Sequence, residues 1–142
     1  MPLVRIDMPK GKVPEDRRII ADVIYDVMIA TLNVPQNDRF QIISERERED
    51  LIIDPTYLDI QRSPGAIIIQ ITLNEGRSVE LKKAFFKAVA EGLHDRAAMR
   101  REDVSISLVE VKKENWSFGV LLRRSTVWKR MGLAQAKHAS VI

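Results

Sequence analysis

The sequence predicts an α+β domain in which two fused β-α-β units form one four-stranded sheet with two helices on one face. Three observations carry this expectation: an internal repeat at an interval of 65 residues, two long stretches of helical apolar periodicity, and short apolar runs on either side of each. In the repeat, Ile6 falls on Ile71, Gly11 on Gly76, Glu15 on Glu80 and Asp38 on Asp103 without a gap. Lys12 falls on Arg77, while Arg17 and Arg18 fall on Lys82 and Lys83. Leu3, Val4 and Met8 meet Ile68, Ile69 and Leu73.

The first copy, about residues 2–44, opens with a strand from Leu3 to Met8 and a loop through Lys10-Gly11-Lys12. Pro14-Glu15-Asp16 starts a helix, because proline is tolerated and acids are favoured in a first turn. Ile19, Ile20, Val23, Ile24, Val27, Met28 and Leu32 fall on one face of it. Asn33-Val34-Pro35 ends the helix, since the residue before proline is pushed out of helical geometry. Phe40 to Ser44 reads as the next strand. Between the copies, Leu51-Ile52-Ile53 reads as a short hairpin strand, and Asp54 to Pro64, rich in turn formers, as a loop.

The second copy, about residues 66–111, starts with an apolar strand from Ala66 to Leu73 of the kind buried on both faces. Asn74-Glu75-Gly76-Arg77 is its loop, and Ser78 is placed to cap a helix. Leu81, Ala84, Phe85, Ala88, Val89 and Leu93 face inward on that helix, and Val104 to Val111 closes the unit. Right-handed crossovers put both helices on one side of the sheet. The other side then needs a cover, and other subunits are the natural one, so a closed oligomer is expected. Residues 120–133 read as a short helix.

Composition fits one globular domain: 142 residues, 45% hydrophobic and 30% charged. No apolar run is long enough to span a membrane, and the start of the chain lacks the layout of a signal peptide. With no cysteine, disulfides and thiol chemistry are excluded, and a cytoplasmic protein is expected. The formal charge of +3 is unevenly spread. All 20 acids and 18 of the 23 Lys/Arg lie in residues 1–116, whereas the tail adds five basic residues and no acid. A solvated basic tail, rather than a nucleic-acid or membrane partner, is the expectation.

Four places could carry chemistry. Removal of Met1 would leave Pro2 as a secondary amine fixed at the start of a strand, and burial would lower its pKa toward working pH. Asp38 stands between a helix end and a strand, where it could orient water or hydrogen-bond a substrate oxygen, or simply bond its own turn. Arg77 ends a glycine-containing loop, where its planar fork suits a substrate carboxylate or else lies solvated. Trp116 and Phe118 could wall a pocket or plug the core. His94 and His138 lack metal-ligand spacing, so no metal is expected, and no phosphate-cradling loop is present.

Taken together, Pro2-Leu3, Val34-Pro35-x-x-Asp38-Arg39-Phe40-Gln41, Arg62-Ser63, Arg77-Ser78 and Trp116-Ser117-Phe118-Gly119 resemble the malonate semialdehyde decarboxylase-like group of the tautomerase superfamily. The resemblance covers residues 2 to about 119, implying a tautomerase-like domain over 1–119, with 120–142 as a basic tail. It implies two fused β-α-β units, a homotrimer, no cofactor, and an amino-terminal proline, here Pro2, as acid/base. By the same resemblance Asp38 polarises a carbonyl or activates water, Arg77 binds carboxylate, and Trp116 and Phe118 form an aromatic wall. Asn74 is grouped with them as substrate-binding. The decarboxylase pattern has a second arginine two residues before the one matched by Arg77, and the neighbouring positions in this chain are Asn74 and Glu75. The expected activity is therefore tautomerisation of a small 2-oxo or enol carboxylic acid. A decarboxylase or hydratase on the same site is the alternative. The β-α-β order also suits a nucleic-acid-binding module, but the strands Leu3–Met8 and Ala66–Leu73 lack the aromatics on which bases stack. A non-catalytic small-molecule sensor of the same fold stays open.

Overall fold

The computed structural model describes residues 1–119; the helix expected over residues 120–133 lies outside the described residues. Four strands, β1 (Leu3–Pro9), β2 (Gln41–Arg46), β3 (Ile67–Asn74) and β4 (Val104–Val111), make one sheet in the order β2-β1-β3-β4. β1 pairs parallel with β2, and β3 parallel with β4, each through a crossover helix: α1 (Pro14–Leu32) and α2 (Val79–Ala97). The halves meet along β1 and β3, which run antiparallel with Ile6 opposite Ile69. The amino end of β1 therefore lies beside the carboxyl end of β3.

The interval of 65 residues is visible in the backbone. α2 begins and ends 65 residues after α1. The two loop glycines, Gly11 at φ +121° and Gly76 at φ +116°, keep the same interval in a conformation that L side chains rarely adopt. Asn33 and Ala98, which end the helices in the left-handed region, keep it too. At α1 the Val34 N–H reaches back to the Met28 carbonyl, so a left-handed cap stops the helix before Pro35 can. At α2 the Ser78 hydroxyl accepts the Leu81 N–H at 3.2 Å, the expected amino-terminal cap.

The core lies between the helices and one face of the sheet. Val4, Ile6 and Met8 of β1 and Ile67, Ile69, Ile71 and Leu73 of β3 are buried against Ile20, Val23, Ile24, Met28, Phe85, Val89 and Leu93. The helices approach closely at Gly92, where a Cβ would come within 2.8 Å of Val23 Cγ1.

Four expectations need correction. Residues 51–53 form no strand; Ile52 is 88% exposed, and the chain there follows a single 3-10 turn, Arg48–Asp50. β2 starts at Gln41 and runs on to Arg46, because its pairing with β1 reaches Pro9. Leu81 and Ala84 are exposed, so the inward face of α2 is narrower than its apolar content. The central strands are not apolar on both sides. Arg5, paired with Gln70, and Asp7 and Thr72 line the face away from the helices together with Leu3 and Ile68, so that face is mixed. No helix among the described residues is long and apolar enough to cross a membrane.

Candidate functional site

The antiparallel junction gathers the start of the chain, the loop after α1 and the loop after β3 at one end of the sheet. Met1 and Pro2 are both buried. The Met1 amine lies 3.6 Å from Asp38 Oδ2, and the Asp38 side chain is 9% exposed. Neither Asp38 oxygen accepts a hydrogen bond from any described group. A buried carboxyl left this way is costly, and such groups mark places where a fold keeps a polar atom for another purpose.

Each charge shifts the others. Burial holds the Met1 amine below the ordinary α-amino range; Asp38 opposes this and Arg77 adds to it. Burial raises the Asp38 carboxyl, against the pull of the chain-start amine and of Arg77. Burial also lowers Arg77, against Glu110 and Asp38, although a guanidinium keeps its proton at any working pH. The chain-start nitrogen thus sits beside one carboxyl and within the field of one cation.

The Asp38 loop is braced on both sides. Asn37, at φ +67°, donates its N–H to the Tyr25 hydroxyl at 2.8 Å. Arg39 lies over the Tyr25 ring and donates to Asp22 at 2.6 Å and to Gln41 at 2.8 Å. Gln41 in turn donates to the Ala21 carbonyl. With its neighbours tied to α1 in this way, the Asp38 carboxyl is held inward by its backbone.

Arg77 is half-buried and doubly anchored. Its Nε donates to the Leu32 carbonyl at 3.0 Å, and its Nη1 donates to the Asn74 carbonyl at 3.1 Å. Asn74 is 6% exposed, and its side-chain oxygen accepts the Trp116 indole N–H at 2.7 Å. Trp116 stacks on Phe118 with centroids 6.3 Å apart and planes 8° from parallel, and Phe118 leans on Phe40 at 6.1 Å.

Pro2, Asp38, Arg77, Asn74, Trp116 and Phe118 therefore come to one end of the molecule. Asn74 holds the aromatic wall and the guanidinium in place, a contact that sequence spacing does not reveal. Phe40 was not singled out as a site residue; its 47% exposure beside Phe118 makes it part of the same wall. An aromatic two residues after a candidate acid was the available signal. His94 is exposed beside Asp95. Among the described residues, no group of three or more His, Cys, Asp or Glu is placed to hold a metal ion.

Comparison with known proteins shows the family. Two family models, both described as tautomerase enzyme, match residues 38–119 and residues 2–59. The probable tautomerase YusQ of Bacillus subtilis is 36% identical over 119 residues, covering 84% of this chain and 94% of that protein. Among solved structures, FG41 malonate semialdehyde decarboxylase inhibited by 3-bromopropiolate is 34% identical, with a TM-score of 0.80 over 94% of this chain and 98% of that one. A fused 4-OT solved as a symmetric trimer shares the fold at 20% identity, with a TM-score of 0.69 over 82% of this chain and 91% of that one.

Proposed function

Since the chain belongs to the tautomerase family, we propose that it moves a proton between carbon and oxygen in a small 2-oxo or enol carboxylic acid, with Pro2 as its acid/base. The observation that carries this reading is the buried Asp38 carboxyl, without a hydrogen-bond partner and facing the amine at the start of the chain. Loss of Met1 leaves the nitrogen of buried Pro2, three bonds along the backbone, as the amine at the start of the chain. Residues 1–119 act as the tautomerase domain, built from halves at about 2–44 and 66–111, and 120–142 form an appended basic tail.

In this mechanism the substrate carboxylate lies on Arg77, whose fork is already oriented by the Leu32 and Asn74 carbonyls. Neutral Pro2 takes the proton from the carbon next to the carbonyl. The electron pair of that C–H bond becomes the enol double bond, and the carbonyl oxygen gains a proton from the Asp38 carboxyl, whose protonated form is favoured by burial. Ketonisation is the reverse, with the Pro2 cation returning the proton to carbon. Trp116, Phe118 and Phe40 offer an apolar wall for the rest of the substrate and keep water away. No cofactor takes part.

The likeness to a malonate semialdehyde decarboxylase favours a second reading, decarboxylation of a 3-oxo acid on the same residues. The lone Arg77, preceded by Asn74 and Glu75, weighs toward tautomerisation. Assays with phenylenolpyruvate and malonate semialdehyde side by side separate the two. Intact mass first establishes that Met1 is gone. Pro2→Ala should then lower enol–keto conversion by about a hundredfold; undiminished conversion would remove the mechanism. A homotrimer working in the cytoplasm belongs to the same proposal. The sheet face opposite the helices, where Arg5 and Gln70 are exposed and Leu3 and Ile68 partly so, supports the assembly, and sedimentation tests it.

A further inference from the structure

The repeat sets a second group of residues at the other end of the sheet. Sixty-five residues on from Asp38 is Asp103, and sixty-five back from Arg77 is Lys12, beside Gly11 as Arg77 is beside Gly76. Because β1 and β3 are antiparallel, this end brings together the carboxyl ends of β1 and β2 and the amino ends of β3 and β4.

Acid/base chemistry is not reproduced there. Asp103 is 4% exposed like its counterpart, but its oxygens are occupied: the Ser63 N–H donates at 2.7 Å, the Ser63 hydroxyl donates to the other oxygen, and Arg100 lies 3.5 Å away. No chain start exists at this point either, since Ala66 and Ile67 lie mid-chain. What persists is the positive charge. A cavity of about 500 Å³ opens here, lined by Lys10, Lys12, Arg46 and Arg48 with Glu47 as its one carboxylate. Lys10 is paired with Glu47, and Arg46 donates through Nε to Asp7. Among the described residues, Lys12 and Arg48 enter no ion pair. Gly11 and Gly65 supply backbone in the cavity wall, and nothing stands within 4 Å of where a Gly11 Cβ would be, so a ligand can approach the main chain. A smaller cavity of about 120 Å³ shares Pro9, Arg48 and Pro64 and leads to Leu51 and Ile53, an apolar recess.

We propose that this cavity is a second ligand site, which binds a small dianion, a phosphate or dicarboxylate head group carrying a short apolar tail, and does not turn it over. With Lys10 matched by Glu47 and Arg46 by Asp7, Lys12 and Arg48 leave the cavity a surplus of two charges that a dianion neutralises, whereas Arg77 alone matches one carboxylate. The two unpaired cations supply the charge-assisted hydrogen bonds, and the Leu51–Ile53 recess receives the tail. The site does not depend on the chemistry proposed for Pro2.

Titration of the full chain with inorganic phosphate and with malonate, followed by the amide signals of Gly11 and Gly65, tests the proposal. Both signals should move saturably with at least one probe, and should do so equally in Arg77→Gln. The probe that saturates at lower concentration identifies the head group. In the Lys12→Gln/Arg48→Gln double variant, with its circular dichroism unchanged, the midpoint should rise about tenfold or more. Shifts confined to the surroundings of Arg77, or a midpoint unaltered in the double variant, or no saturation with either probe, would overturn it.

Discussion

The Arg77 guanidinium donates through Nε to the carbonyl of Leu32, the last residue of α1, at 3.0 Å. This single contact ties the loop of the second half to the helix of the first. It also puts a cation at the negative end of the α1 dipole, where it is favoured. A second bond, from Nη1 to the Asn74 carbonyl, fixes the plane of the fork.

Arg77→Gln should therefore raise KM for a 2-oxo acid by about ten- to a hundredfold, the loss of a charge-assisted carboxylate contact, with a smaller change in kcat. Arg77→Lys keeps the charge but cannot bond both backbone carbonyls in one plane, so it should recover only part of the loss. Steady-state kinetics on both variants check this.

The ascending limb of the pH profile should report the chain-start amine, which must be neutral to act as a base. At the Met1 amine burial lowers the pKa, Asp38 raises it and Arg77 lowers it, and the same signs are expected at the Pro2 nitrogen once Met1 is gone. Asp38→Asn should accordingly move the limb to lower pH, and Arg77→Gln should move it to higher pH. Opposite shifts in residual kcat/KM across the two variants are the outcome to look for. Identical limbs would detach the activity from this amine.

Asp38 should cost the fold stability at neutral pH. Its folded pKa is raised by burial, so its contribution is fully present below the unfolded pKa and is lost as pH rises through the folded value. Asp38→Asn removes a carboxyl whose ionisation burial opposes and should raise stability at pH 7 by about 1 kcal/mol, or about 4 °C in Tm. The gain should fade in acid, where the carboxyl is protonated in the folded and the unfolded chain alike. Thermal melts at pH 4 and pH 7 measure it, alongside the accompanying loss of activity.

Gly92→Ala should destabilise although alanine is the better helix former. The new Cβ would sit 2.8 Å from Val23 Cγ1, and Val23 is fully buried with a branched side chain that has little rotamer freedom in α1. Overpacking of about 1–3 kcal/mol outweighs the gain in propensity of about 1 kcal/mol. Urea unfolding should give a lower midpoint at an unchanged m-value.

The helices were legible because their apolar residues recur at helical spacing and their starts carry Pro14 and Ser78, signals local to the chain. The repeat told where the halves lie before any packing was known. Leu51-Ile52-Ile53 misled because strand propensity does not supply a partner strand, and here Ile52 is left facing solvent. The mixed face of the sheet is hidden when β3 is taken as buried on both faces, although Gln70 and Thr72 alternate in it as Arg5 and Asp7 do in β1. Pro2, Asp38 and Arg77 stand out as candidates by residue type and by their places at a strand start and in two loops. The orphaned oxygens of Asp38 and the hold of Asn74 on Trp116 do not, because both arise from contacts between residues distant in the chain.

The seam between β1 and β3 has one more consequence. Pro2 and Asp38 lie on one side of it, while Arg77, Asn74 and Trp116 lie on the other, so a nick in the stretch joining β2 to β3 would separate the groups proposed for proton transfer from the proposed substrate anchor. Two polypeptides made that way would each be inert, and turnover would return only when they dock. Such a pair would serve as a split reporter whose signal counts reassembled sheets.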